Sequence, residues 1–291
     1  MKELRLITDI ITEMRVKSWL KNLFVLTPIV FSLELFEKDR LISALMLTLS
    51  FCLISSSVYV FNDINDLEKD RNHSVKKNRP VAAGRISVTG AWIMAAVLAI
   101  TGLLLSFIVN MPALYFVLAY ILINILYSRW LKKQAVIDCF CIAAGFVLRV
   151  LTGGTVVSAG VSDWMFLTVI SFSLFMAFGK RRGELLTHCE KDTRTVLGSY
   201  EITFLNGSVF MCAGLTMVFY SLWCLSQGDH LVYTVPVVMF IVIRYLMIVF
   251  SGTSDGDPTT IILSDKIILL ACGICALIML VILYAPQMLC F

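Results

Sequence analysis

Charge is scarce in this sequence. Only 15% of its 291 residues are Asp, Glu, Lys or Arg, and 59% are hydrophobic. A soluble domain carries about 25% charged residues. Together with a mean hydropathy of +0.88, the shortfall excludes an ordinary soluble enzyme and reads as a polytopic membrane protein. Histidine is scarce too. The three that occur stand far apart, which excludes a His-based metal site. Residues 1–17 lack the short apolar core of a cleavable signal peptide. That stretch reads instead as an amphipathic helix at the membrane surface. No acidic relay lies at the middle of the apolar runs, which disfavours a transporter. Cysteine is the exception to this scarcity. Nine are present, mostly inside apolar runs, and packing is their expected role, including at Cys139/Cys141 and Cys272/Cys275.

The apolar runs predict an all-α bundle of nine transmembrane helices forming one membrane domain over 1–291. The expected spans are Trp19–Phe36, Leu41–Phe61, Thr89–Val109, Pro112–Tyr127, Ala135–Gly154, Trp164–Gly179, Phe204–Leu225, Leu231–Phe250 and Lys266–Gln287. Basic residues set the expected orientation. With the N-terminus inside, the inner segments carry 20 Lys or Arg and the outer side only Lys38 and Arg40. The positive-inside rule then puts the N-terminus in the cytoplasm and the C-terminus outside a plasma or inner membrane. The long loops, 62–88, 180–203 and 251–265, all fall on the inner side. An enzyme joining a cytosolic substrate to a membrane lipid would have this distribution.

The first of those loops holds the most informative pattern. Asp63, Asp66 and Asp70 stand at i, i+3 and i+7, with Asn62 beside them. On a helix the three carboxylates share an arc of roughly 60°. Like charges so placed repel, and a cation should neutralise them. Oxygen donors without His or Cys favour a hard ion, Mg²⁺ above all when phosphate completes the shell. The basic run that follows, Lys76, Lys77, Arg79 and Arg85, suits a phosphorylated ligand.

Other polar clusters punctuate the apolar chain. Lys17, Lys21 and Asn22 precede the first span, where the lysines serve either phosphate binding or positive-inside flanking. Trp19 fits an interfacial anchor. Tyr127, Lys132 and Lys133 close the fourth span. Asp138 and Arg149 share a face of the fifth at i and i+11, and a buried Arg149 should face an anion. Lys180, Arg181 and Arg182 close the sixth and can grip a phosphate, while Glu184, Glu190 and Asp192 can add a metal ligand. Arg244 is another buried cation, and Ser264 or Asp265 can cap the last helix.

These residues carry a resemblance. Asn62-Asp63-x-x-Asp66-x-x-x-Asp70, followed by Asn78-Arg79-Pro80-x-x-x-Gly84, resembles the first aspartate motif of the UbiA prenyltransferase superfamily. Lys17-Ser-Trp-Leu-Lys-Asn22, Tyr127-Ser-x-x-Leu-Lys132, Val136-Ile-Asp138, Gly145-Phe-Val-Leu-Arg149 and Gly179-Lys-Arg-Arg-x-Glu184 are similar to its decaprenyl-phosphate phosphoribosyltransferase branch. The end of the chain, Arg244-Tyr245 with Asp265, matches that branch as well. Two departures stand out. Val16 replaces a frequent Pro, and the usual second aspartate motif after span six gives way to Lys180-Arg181-Arg182-Gly183-Glu184.

The resemblance implies nine helices around a cytoplasm-facing cavity. It implies PRPP (5-phosphoribosyl 1-diphosphate) as donor and a polyprenyl phosphate as acceptor, with Mg²⁺ held by Asn62, Asp63, Asp66 and Asp70. Lys17, Lys21, Asn22, Arg79, Tyr127, Lys132, Asp138, Arg149, Lys180, Arg181, Glu184 and Arg244 would line the substrate sites. The partners are then PRPP, the lipid phosphate and the membrane, and no nucleic acid; nothing in the pattern speaks to oligomeric state. The competing readings are a UbiA-type aromatic prenyltransferase, disfavoured by the missing second motif, and a non-catalytic lipid-phosphate carrier or scaffold.

Overall fold

The structure is a computed structural model. It describes residues 2–73, 75–187, 195–228, 230–251 and 258–288. Glu190, Asp192 and parts of the 180–203 and 251–265 loops lie outside the described residues. Among those described, every regular element is helical and none is a strand. Eight helices are long and apolar enough to cross a membrane.

The chain opens with α1 (Lys2–Glu13), a 3-10 segment (Val16–Leu26) and α2 (Thr27–Phe31). The first expected span, 19–36, is therefore no single α-helix. Its register changes at Pro28, which has no N–H to give to the carbonyl of Phe24. The Thr27 N–H takes that carbonyl instead, which is the tighter 3-10 pattern. The rise of a 3-10 helix is greater per residue, so Val16–Phe31 still extends about 30 Å, the thickness of a hydrocarbon core.

There follow α3 (Lys38–Asn65), the short α4 (Leu67–Asn72), α5 (Val88–Val109), α6 (Met111–Arg129) and α7 (Ile137–Gly154). The rest comprises α8 (Asp163–Thr187), α9 (Ile202–Gln227), α10 (Val235–Phe250), α11 (Pro258–Ser264) and α12 (Lys266–Met288). Asp265 caps α12 as expected, accepting from the N–H groups of Ile267 and Ile268 at 3.0 and 2.8 Å.

The helices gather into two compact units, one of Met1–Arg129 with Leu148–Gly160, the other of Trp130–Val147 with Val161–Phe291. The first packs Leu47, Phe51, Ile54 and Val58 of α3 against Val25, Ala113, Val117 and Tyr120. The second packs Phe175 and Phe178 of α8 against Leu205, Val209, Val242, Tyr245 and Ile268. Outward faces are apolar as well. On α5 the exposed residues Ile93, Val97, Ile100, Leu104 and Phe107 recur at helical spacing, as do Leu270, Ile274, Leu277 and Val281 on α12. Stripes of that length would aggregate in water and suit a lipid solvent.

One close approach fixes the 3-10 segment. A Cβ on Gly153 of α7 would lie 1.9 Å from the Val25 carbonyl oxygen. Gly153→Ala must push backbone away from backbone, and such overpacking costs about 1–3 kcal/mol. We expect it to lower the thermal midpoint of the purified protein by several degrees. Gly207→Ala on α9, where a Cβ meets nothing within 4 Å, should leave the midpoint level or raise it. Equal midpoints for both variants would show that the Val25 contact does not constrain the fold.

Candidate active site

The aspartate loop is built by two local devices. At Asp66 the helix is interrupted, with α3 ending before it and α4 starting after it. Backbone bonds from Asp66 N to Asn62 O and from Asp70 N to Asp66 O carry the helical register across the break. Asp63 and Asp70, seven residues apart, therefore stay within about 20° of one face, and Asp66 sits about 60° round. The second device returns the chain. Arg79 precedes Pro80 and is extended (φ −61°, ψ 143°). Gly84 then takes a left-handed φ of 73°, which glycine adopts without steric cost. The N–H groups of Arg85 and Ile86 close the turn on the Pro80 carbonyl.

The returning loop delivers Arg79 between the two aspartates. Its Nη1 donates to Asp63 Oδ1 at 2.9 Å and to Asp70 Oδ2 at 2.5 Å. Arg15, from the junction after α1, donates through Nη2 to both oxygens of Asp63 at 2.5 and 2.7 Å. Its guanidinium also lies over the Tyr59 ring, 4.8 Å from the centroid. Asp63 and Asp70 are 5% and 3% exposed. Asp66 is the outlier, its side chain 34% exposed and 3.9 Å from Lys69 Nζ. Asn62 accepts from the Ser128 hydroxyl at 2.5 Å. The cations neutralising the aspartates in this structure are guanidiniums, and Arg79, expected at a phosphate, is one of them.

Glu13, the last residue of α1, is also buried here. Burial, and then the negative charge of Asp63, push its carboxyl up to about 7. No sequence signal marked Glu13, Arg15 or Ser128, because each reaches the loop through tertiary contact.

The residues present fit Mg²⁺. Two buried carboxylates converge on a single cationic nitrogen, Arg79 Nη1, so their oxygens aim at one point. Among the described residues no group of three His, Cys, Asp or Glu forms a ready cage. Mg²⁺ does not need one, since it is commonly held through one or two carboxylates together with substrate phosphates.

The other expected site residues fall into separate networks. In the first unit, Arg149 donates to Asn22 Oδ1 at 2.7 Å and to the Tyr120 hydroxyl at 3.1 Å, with its guanidinium 4.7 Å from the Tyr120 ring centroid. Asn22 in turn donates to Ser55 at 3.1 Å. The partners of Arg149 thus include an amide, a phenol and an aromatic face. Trp19, expected as an interfacial anchor, donates to Ser56 on α3 at 3.0 Å. Lys17 is exposed, and Lys21 and Tyr127 are half-buried. An apolar hollow among α3, α5 and α6, lined by Ile54, Val58, Phe61, Trp92, Ala95 and Ile121, reaches the residue before Asn62.

In the second unit, Arg181 is 1% exposed and donates to Asp138 Oδ2 at 2.6 Å and Glu184 Oε2 at 2.5 Å. Tyr200 donates to Asp138 Oδ1 at 2.6 Å and accepts from the Val136 N–H at 2.6 Å. Burial and that bond to Asp138 push the Tyr200 phenol up. Arg182 donates to Asn206 Oδ1 and to the Val249 carbonyl, both at 2.7 Å, and lies over the Phe250 ring. Arg244 meets Asp265 Oδ2 at 2.9 Å, and this bond holds the Asp265 carboxyl below its ordinary range. Lys132 and Lys180 are half-buried in the same unit.

Fold and site together define an all-α, multi-pass membrane protein carrying an oxygen-donor site at the end of a spanning helix. Residues 25–264 match the UbiA prenyltransferase family, and the chain belongs to that family. It is 31% identical over 282 residues to the decaprenyl-phosphate phosphoribosyltransferase of Mycolicibacterium smegmatis, covering 90% of this chain and 88% of that one. It is 34% identical over 271 residues to the Corynebacterium glutamicum protein of the same name, covering 89% and 81%. Among solved structures it is similar to a UbiA homolog from Archaeoglobus fulgidus bound to GPP and Mg²⁺. That likeness has a TM-score of 0.73 at 20% identity, over 95% of this chain and 98% of that one. The fold is thus the UbiA bundle.

Proposed function

We propose that this protein transfers the 5-phosphoribosyl group of PRPP to a polyprenyl phosphate, releasing diphosphate. The observation that carries this reading is the near full-length likeness to two proteins named decaprenyl-phosphate phosphoribosyltransferase. The last turns of α8 support it. A prenyl diphosphate site of the usual two-motif kind needs a second aspartate pair there, and this chain has Lys180-Arg181-Arg182-Gly183-Glu184. The distribution of Lys and Arg supports an N-terminus and an acidic loop in the cytoplasm.

Asn62, Asp63 and Asp70, with Asp66 at the rim, would hold Mg²⁺. Bound there, the ion would neutralise the diphosphate as it leaves. Asp63 and Asp70 would hold the ion in place of their guanidinium partners, and Arg79 and Arg15 would stand beside it to take phosphate oxygens. The bond from ribose C1 to diphosphate breaks, and a bond from C1 to an oxygen of the lipid phosphate forms. That nucleophile is already anionic near neutral pH, so no side chain must remove a proton. The apolar hollow beside Asn62 is chemically suited to hydrocarbon, as an isoprenoid acceptor requires. Lys17, Lys21, Tyr127, Lys132 and Lys180 are the further candidates for phosphate contact.

The test is a membrane assay with radiolabelled PRPP, polyprenyl phosphate and Mg²⁺. Label should pass into the organic phase and should stop doing so in EDTA. Incorporation of a prenyl diphosphate into an aromatic acid, with no label from PRPP, would assign the chain to aromatic prenyl transfer instead.

A further inference from the structure

Glu13 is buried beside the Asp63 carboxylate. It is 1% exposed, and among the described residues neither carboxylate oxygen makes a hydrogen bond of good geometry; its polar neighbours are the Val81 N–H and the Asp63 carboxyl. Its neighbours fix its position. The next residue, Met14, is pinned to α3 through its carbonyl, which accepts from Ser56 Oγ at 2.8 Å. Arg15, one further on, adopts a left-handed backbone (φ 52°) and clasps Asp63. A buried polar group without a partner is costly, and a buried charge more so. Leucine or glutamine would serve mere packing better than a carboxylate does.

Charge balance says what the carboxylate lacks. Asp63 and Asp70 are matched by Arg15 and Arg79, so those four side chains are together neutral and hold no surplus attraction for a dication. Asp66 is partly exposed, and solvent screens its charge. Glu13 is the remaining carboxylate, buried in the field of Asp63.

We infer that Glu13 is a further member of the divalent-cation site, supplying from α1 the negative charge that the arginine-matched aspartates do not. This inference rests on the reading of the aspartate loop as a cation site. It also gives α1 a task in the reaction, since the helix then carries part of the affinity for the ion.

The experiment titrates the full-length protein in nanodiscs, stripped with EDTA and free of PRPP, with Mn²⁺, and reads unbound Mn²⁺ by electron paramagnetic resonance. Glu13→Gln should raise the Kd about tenfold or more, the range seen when a supporting group of a metal site is lost. Its thermal midpoint in EDTA should stay level or rise, because an unmatched buried acid is gone. Glu13→Leu, which removes the polar atoms altogether, should show the same loss and guards against a misfolded Gln variant. Asp63→Asn should lose Mn²⁺ binding. Wild-type Kd in both Glu13 variants, with binding lost in Asp63→Asn, would overturn the role of Glu13 alone. Wild-type Kd in Asp63→Asn as well would overturn the cation site itself.

Discussion

Asp70→Asn is expected to cut phosphoribosyl transfer by about a thousandfold or more while leaving a folded, membrane-inserted protein. Asparagine keeps the shape of the side chain and one acceptor oxygen, so Arg79 retains a partner there. The structural cost is that of weakening one charge-assisted bond, about 1–3 kcal/mol. The chemical cost is larger. Asp70 supplies one of the two buried carboxylates that converge on a single point. Metal stabilisation of a leaving group is worth several kcal/mol, and each 1.36 kcal/mol is a factor of about ten in rate. Asp66→Asn should cost far less, near tenfold, because its carboxylate is one-third exposed and stands off the convergent pair. The check is kcat for both variants in nanodiscs at saturating PRPP over a range of Mg²⁺, with thermal unfolding alongside. A few-fold loss at Asp70 with an unchanged Mg²⁺ dependence would remove that residue from the clamp. A loss at Asp66 equal to that at Asp70 would restore the three-aspartate ligand set that spacing alone suggests.

That contrast marks how far spacing can be read. The seven-residue interval between Asp63 and Asp70 survives into the structure because helical register crosses the break at Asp66. What spacing could not show is the counter-charge. Arg79 is nine residues from Asp70 and reaches it after the chain leaves α4 and turns through the 3-10 segment Lys76–Asn78. Arg15 is 48 residues from Asp63, and Glu13 is met at the same distant junction. No periodicity encodes such meetings. Hydropathy likewise found the spanning helices, since lipid exposure leaves long apolar runs. It did not distinguish an α-helix from the 3-10 segment before Pro28, because both bury Asn22 and Val25 within one apolar stretch. Arg149 was legible as a buried cation because a charge in an apolar run needs a reason. Its partner Asn22 lies 127 residues away and was legible only as part of a motif. The Asp265 cap was legible because capping is local.

Arg181→Met is expected to destabilise the protein by about 3–5 kcal/mol, the range for removing one partner of a buried ion pair. The guanidinium lies between Asp138 and Glu184, which are 0% and 7% exposed, and the substitution strands both carboxylates. The damage should spread through Asp138. That residue anchors Tyr200, which in turn holds the N–H of Val136. Val136 has a φ of 69°, a left-handed conformation costly for a β-branched residue. Surrounding contacts must hold such a backbone in place, and here the Tyr200 hydroxyl is one of them. A thermal midpoint lowered by many degrees, and folded protein depleted from membranes, would establish Arg181 as a pillar of the second unit. Adding Asp138→Asn and Glu184→Gln to Arg181→Met should recover part of the loss, because the stranded charges are then gone. A phosphate-gripping Arg181 predicts the opposite pattern, with the midpoint preserved, KM for PRPP raised, and no recovery from the two added substitutions. The first pattern would leave the phosphate contacts to lysines such as Lys180 and Lys132, which are half-buried. In the second, the Arg181 guanidinium would leave its carboxylates whenever PRPP arrives.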